Sequence, residues 1–224
     1  LLARRSSHRD DWSAFNQRQP VSAPLIAVLD YGIGNLRSAQ KALQHVGADA
    51  QLTNDAALIR KSAAVVLPGV GAFGACMNAL KNSGLEPLAR ESIESGKPFL
   101  GICVGMQMLF DESDEDPGVR GLGVMAGTVR YLPDTVKRPQ MQWNQLRVQG
   151  NDPMFASLPT EPWMYFVHSL HPVPSDASCI VATTDYGCSV TAAVRKENVF
   201  AVQFHPEKSA SDGLALLGNF VNAV

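Results

Sequence analysis

The sequence has no excess of charge of either sign: 19 Lys and Arg stand against 21 Asp and Glu, a formal net charge of −2. Without a concentrated basic surface there is little to displace counterions from a phosphate backbone, so a nucleic-acid binder is not indicated. No run of roughly twenty apolar residues is present, as a membrane-spanning helix would require. Cysteine is scarce. Cys76, Cys103, Cys179 and Cys188 show no C-x-x-C spacing, which argues against a zinc site or a redox pair. Their irregular spacing fits free thiols in a reducing compartment, and a cytoplasmic location is expected. No His, Cys or carboxylate cluster has metal-ligand spacing, and no repeat or low-complexity tract occurs. What is there is apolar content, 46% of 224 residues with 18% charged, ample for the core of one α/β domain.

The opening LLARRSSHRDDWSAFNQRQP lacks the apolar segment of roughly 7–15 residues that a secretory signal carries. It is polar to about Pro24, so residues 1–24 are expected to form a disordered extension and 25–224 the folded domain. Asp10 and Asp11 speak against a mitochondrial presequence.

From Leu25 short apolar runs alternate with helical segments. LIAVLD, AAVVLPG and PFLGI are continuous branched or aromatic runs, typical of strands buried on both faces. Between them, LRSAQKALQHVG places Leu36, Ala39, Leu43 and Val46 at helical spacing and stops at Gly47. DAQLT predicts a short strand, DAALIRK a short helix, and FGACMNALKNSG and LEPLARESIESG two more helices; VGMQMLFDES predicts a helix after Cys103. Alternating strands and helices imply a mostly parallel sheet flanked by helices. The second half differs. GVMAGTVRYL, WNQLRV and MYFVHSL read as strands, and SVTAAVRKENVFAVQFHP as a hairpin alternating through Val190, Ala192 and Val194. A final helix, SDGLALLGNFVNAV, has Ser209 or Ser211 as its candidate N-cap. The fold class is therefore α/β, with added antiparallel strands in the C-terminal half.

Chemistry concentrates in PFLGICVGMQMLF, where a strand meets a G-x-C-x-G turn and a helix follows. A nucleophile on such a turn is exposed and strained, Gly101 and Gly105 relieve crowding, and the helix start favours a thiolate. AVQFHPEKS adds His205 and Glu207, two apart at a strand end. In extended backbone both would point to one side, where a carboxylate can orient an imidazole to take a thiol proton. The glycine loop LPGVGAFG ends a strand of the same sheet, so loops 68–71 and 101–105 could together supply two amides to an oxyanion. Gly32 and Gly34 also follow a strand, but Arg37 holds the third position of a dinucleotide fingerprint, and that reading fails. Of the remaining histidines, His8 lies in the tail and His45 near a helix end, whereas His168 and His171 flank Ser169 and could line a site.

LPGVGAFG, GICVGMQMLF and QFHPEKS resemble the motifs of the class I glutamine amidotransferases, over about Leu25 to Val224. PGVGAFG and HPEKS are most similar in wording to the glutaminase branch that serves imidazole glycerol phosphate synthases; the branch of pyridoxal phosphate synthesis has a PGGES-like loop instead. The resemblance implies a class I amidotransferase fold and a glutaminase. Cys103 would attack the glutamine amide and form a thioester, with His205 as base and Glu207 as its orienter. Val104 with Val70 or Gly71 would form the oxyanion hole, and Gly69, Gln107, Tyr165, His168 and Ser169 would hold glutamine. Ammonia would pass to a (β/α)8-barrel cyclase in a heterodimer, with Asn35, Trp143 and Lys196 facing that partner. No cofactor and no metal are implied.

One departure stands out: the family's P-H-M-G-W-N is here Pro139-Gln140-Met141-Gln142-Trp143-Asn144. It leaves the Cys, His and Glu untouched but bears on docking and activation. The alternatives are a glutaminase serving another synthase, a stand-alone Cys hydrolase, and a catalytically idle regulatory subunit. Intact Cys103, His205 and Glu207 argue against the last.

Overall fold

The computed structural model describes residues 23–224; the expected polar extension lies, up to residue 22, outside the described residues. Its central sheet has eight strands in the order β2-β1-β3-β4-β13-β12-β11-β8. The first half comprises β1 (Leu25–Leu29), β2 (Asp49–Thr53), β3 (Ala64–Gly69) and β4 (Phe99–Cys103). These pair in parallel and are joined in parallel by β13 (Val199–Val202). β3, β4 and β13 are buried at every position, as their unbroken apolar runs predict for strands covered on both faces.

The connecting helices are α1 (Leu36–His45), α2 (Ala56–Lys61), α3 (Phe73–Asn82) and α4 (Glu86–Glu94), with α6 (Ala210–Asn222) closing the chain. From β1 the chain steps outward to β2, then back across β1 to β3 and β4. Right-handed crossovers in opposite directions place helices on opposite faces of the sheet. α1 accordingly packs against α6, and α2 against α4. The direction reverses between β1 and β3, and the crevice beyond the carboxyl ends of strands at such a point is where α/β sheets bind ligands.

The antiparallel half consists of β12 (Ser189–Lys196), β11 (Ile180–Asp185) and β8 (Arg147–Val148). Two small sheets complete the fold. One joins β10 (Leu170–Pro174), β6 (Gly127–Tyr131) and β5 (Glu112–Ser113), and the other β7 (Gln140–Gln145) and β9 (Trp163–His168).

Several details depart from the sequence expectations. The helix after Cys103, α5, covers only Val104–Gln107. The carbonyls of Met108, Leu109 and Phe110 accept instead from the amides of Leu122, Val124, Met125 and Gly123, so a returning loop takes the bonds a longer helix would use. β12 is buried on both faces from Val190 to Val194, because it lies inside the wide sheet rather than at a half-solvated surface. WNQLRV is two strands, with the fully buried Leu146 plugging the core between them. β11 had no sequence counterpart, its polar threonines masking the run. Ser209 does take the N-cap position of α6, yet its hydroxyl bonds elsewhere.

Candidate active site

Cys103 ends β4 at the register position of Gly69, the last residue of β3. It has φ 56° and ψ −115°, a left-handed conformation that L side chains rarely take. Such strain persists only where neighbouring structure enforces it. Here it is enforced by contact: a Cβ on Gly105 would stand 1.8 Å from the Leu67 carbonyl oxygen, and one on Gly69 2.7 Å from the Gly105 nitrogen. α5 is therefore pressed against the end of β3, with glycine at both touching positions. This close approach turns the chain abruptly and aims the Cys103 side chain into the crevice.

His205 and Glu207 meet as expected, but by another route. β13 ends at Val202, and Pro206–Lys208 form a 3₁₀ turn that brings the two side chains together. His205 Nδ1 lies 2.7 Å from Glu207 Oε1, with both side chains 3% exposed. That contact leaves Nε2 as the nitrogen available to Cys103. The imidazole backbone is clamped from both ends: His205 N donates to Tyr165 O at 3.0 Å, and Ser209 Oγ donates to His205 O at 2.6 Å. Burial lowers the proton affinity of His205, but its contacts with Cys103 and Glu207 outweigh burial and raise its pKa to about 10. Burial pushes the Cys76, Cys179 and Cys188 thiols up, so these three are poor nucleophiles near neutrality.

A cavity of about 470 Å³ opens at this point. Of the expected residues, Cys103, His205, Val70, Gly71, Val104, Gln107, His168, Ser169 and Asn35 line it. Gly69 and Tyr165 do not: Gly69 backs α5, and Tyr165 braces His205 through its carbonyl. The glycine loop is held from beneath. Tyr31 Oη donates to Pro68 O at 2.6 Å and Cys76 Sγ to Val70 O at 3.2 Å. In a trans peptide the N–H points opposite its carbonyl. Since Val70 O faces the buried Cys76, the Gly71 N–H points the other way, out of the core.

Burial lowers the His168 pKa to about 4 and keeps the ring neutral. Its Nδ1 contacts Leu170 O at 2.8 Å, which assigns the proton to Nδ1 and leaves Nε2 as an acceptor without a partner. His171 is also buried and accepts from Thr191 N at 3.3 Å, away from the cavity lining.

Two charged lining residues were not among the expected ones. Glu115 sits in an acidic stretch, DESDED, with nothing to single it out. Its Oε2 accepts from Phe73 N at 2.8 Å at the start of α3, and among the described residues it is the one carboxylate in the cavity lining. Lys208, exposed beside Glu207, stands at the mouth.

The three expected partner-facing residues do not share one surface. Trp143 is 43% exposed and borders a second cavity of about 330 Å³. Lys196, by contrast, pairs with Val199, which is in register with Phe99 at the start of β4. It stands at the opposite end of the strands from Cys103, where its Nζ donates to Val124 O at 2.8 Å. Gln140 is fully buried and Gln142 exposed, and both donate to Asn144 Oδ1, at 3.0 and 2.6 Å. The Gln142 side chain is therefore accommodated along the strand, bonded to Asn144. Among the described residues no group of three potential ligands could hold a metal, and no helix is long and apolar enough to cross a membrane.

Fold and site together define an α/β enzyme class with a cysteine on a strand-to-helix turn facing a His–Glu pair. A sequence model of the class I glutamine amidotransferases matches residues 27–224. "Imidazole glycerol phosphate synthase subunit HisH" of Acinetobacter baylyi is 48% identical over 201 residues, 88% of this chain and 97% of that one. The protein of the same description from Syntrophotalea carbinolica is 47% identical over 204 residues, 88% and 98% of the two chains. Among solved structures, that of PurLQS from Thermotoga maritima shares the fold at TM-score 0.73 and 21% identity, over 90% of this chain and 99% of that one. The chain belongs to the class I glutamine amidotransferases, in the branch of the HisH subunits of imidazole glycerol phosphate synthase. It is a glutamine amidotransferase.

Proposed function

We propose that Cys103, His205 and Glu207 form the catalytic triad of glutamine hydrolysis, and that the ammonia passes directly to a partner cyclase. The observation that carries the first part is the cavity shared by Cys103 and His205, with Glu207 on the far side of the imidazole at 2.7 Å. The Cys103 sulfur bonds to the amide carbon of glutamine as the C–N bond breaks. His205 passes the thiol proton to the leaving nitrogen, which departs as ammonia. A water, deprotonated by His205, then attacks the thioester; glutamate leaves and the proton returns to sulfur. The N–H groups of Val104 and of Val70 or Gly71 receive the oxyanion in both steps. Glu115 gives the α-ammonium of glutamine a counter-charge, and Gln107 and Ser169 contact the rest of the substrate.

A partner face adjoins this pocket. In β9, Met164, Phe166 and His168 turn inward, so Trp163, Tyr165 and Val167 turn outward. Across the pair they meet Gln145, Trp143 and Met141. Met141 is 63% exposed and Trp163 49%, and Pro139 and Val167 carry the face to the cavity edge. An exposed, aromatic-rich strip beside a catalytic pocket is the composition of a protein interface rather than of a solvated strand pair. It fits a (β/α)8-barrel cyclase that takes up ammonia without release to water. Asn35 and Trp143 lie on that side, Lys208 takes the place expected of Lys196, and the heterodimer needs no cofactor in this chain.

The test is glutamine hydrolysis by the purified chain, alone and with the cyclase subunit. Adding the cyclase with its nucleotide ligand is expected to raise turnover by roughly tenfold or more. A chain already at full rate alone would instead be a free-standing thiol hydrolase.

A further inference from the structure

The chemistry above leaves one buried polar chain without a role. Gln203 lies just beyond β13, two residues before His205, and is fully buried. Its backbone N–H is fixed to Ala192 O on β12 at 2.9 Å. Its side-chain Nε2 lies 3.8 Å from Cys103 Sγ, and its Oε1 accepts from Gln107 Nε2 at 3.1 Å. Gln107 Nε2 spends its other proton on Leu170 O, also at 3.1 Å.

These partners fix the orientation of both amides. Leu170 O can only accept, so the group facing it must be the Gln107 amino group. That group needs an acceptor on its other side, which sets Gln203 Oε1. The Gln203 amino group is then left facing sulfur, in a setting with no water-exposed alternative. Neutral amide donors support an anion they face, and the support grows where solvent is excluded.

We propose that Gln203 is a positioning residue for the nucleophile. Its amide N–H, oriented through Gln107 by the Leu170 carbonyl, holds the Cys103 sulfur in one rotamer and supports its negative charge before attack. This rests on Cys103 being the nucleophile. It also gives Gln107 two duties, one toward the cavity and one toward sulfur.

Gln203→Met and Gln203→Glu in the full chain separate this role from a merely structural one. Methionine keeps the volume but loses donor and acceptor. Glutamate keeps an oxygen for Gln107 to donate to, but in its ionised form offers sulfur no proton. The readouts are kcat and KM across pH, and the rate of iodoacetamide alkylation of the Cys103 peptide. Gln203→Met is expected to lower kcat and alkylation roughly tenfold, with KM changed less than about twofold. Gln203→Glu is expected to fall below Gln203→Met as pH rises through the carboxyl titration, and to recover toward acid, where a protonated carboxyl can donate. Wild-type kcat for Gln203→Glu at every pH, or wild-type alkylation of Gln203→Met, would overturn the proposal. A Cys103→Ala chain that still hydrolyses glutamine would instead remove the nucleophile on which it rests.

Discussion

Cys103→Ala should leave the chain folded, able to bind its partner, and without measurable glutamine hydrolysis. The expected loss is at least about a thousandfold in turnover, because removing the nucleophile of a cooperating set costs nearly as much as removing the set. Background hydrolysis from the oxyanion amides alone is the only route left. Stability should change little. Cys103 is 3% exposed, and its replacement removes one sulfur atom with its contacts to His205 and Gln203 but no part of the apolar packing around β4. A melting temperature within a few degrees of the parent, with no steady-state turnover, is the expected pair of results. Undiminished turnover would show that the thiol takes no part in the reaction.

Gly105→Ala should have the opposite profile: the fold fails before the chemistry can be measured. The added methyl would sit 1.8 Å from the Leu67 carbonyl oxygen and 2.8 Å from its carbon. Both atoms belong to the backbone of a central parallel strand, so no side-chain rotamer can give way. β3 and α5 would have to part, and with them Gly69 and Cys103, the paired ends of β3 and β4. Overpacking a well-filled core costs about 1–3 kcal/mol and more where backbone must move, so a loss of about 3 kcal/mol or more is expected. Gly218→Ala is the matched control. It lies within α6, and an added methyl there would have nothing within 4 Å. The change should stabilise by about 0.5–1 kcal/mol, since alanine loses less backbone entropy in a helix. Urea midpoints for the two variants should therefore move in opposite directions. Equal and small shifts would mean that the turn tolerates a side chain, and that the tight β3–α5 contact does not enforce its geometry.

The legible parts of the sequence were those where one physical signal acts alone. β3, β4 and β13 are unbroken apolar runs because both faces are covered, and α1 shows its buried stripe because its other face meets water. The glycines around Cys103 were readable because only glycine fits so close an approach. What escaped depended on distant partners. α5 stops after one turn because residues 122–125 return to claim the carbonyls of Met108–Phe110, which no local pattern records. His205 and Glu207 were expected to align along a strand; a 3₁₀ turn aligns them instead, since Pro206 cannot continue a sheet ladder. Glu115 reaches the cavity from an anonymous acidic stretch only because it binds the amide of Phe73, far back in the chain. Lys196 and Lys208 are both exposed lysines near the C-terminus. Only the direction of β13 reveals that one faces the pocket and the other its far end.

The contacts of His205 with Cys103 and Glu207 also bear on pH. A histidine whose folded pKa is raised contributes stability that is present below its unfolded value near 6.5 and lost as pH rises through about 10. This coupling favours the folded state most on the acid side of neutrality.

The most direct measurement is to mix the chain with glutamine, quench in acid within a turnover, and map the covalent adduct by mass spectrometry. A glutamyl thioester is expected on the peptide that carries Cys103, and none on those that carry Cys76, Cys179 or Cys188. Turnover with an adduct on another cysteine, or with none at any quench time, would contradict the assignment of Cys103 as the nucleophile.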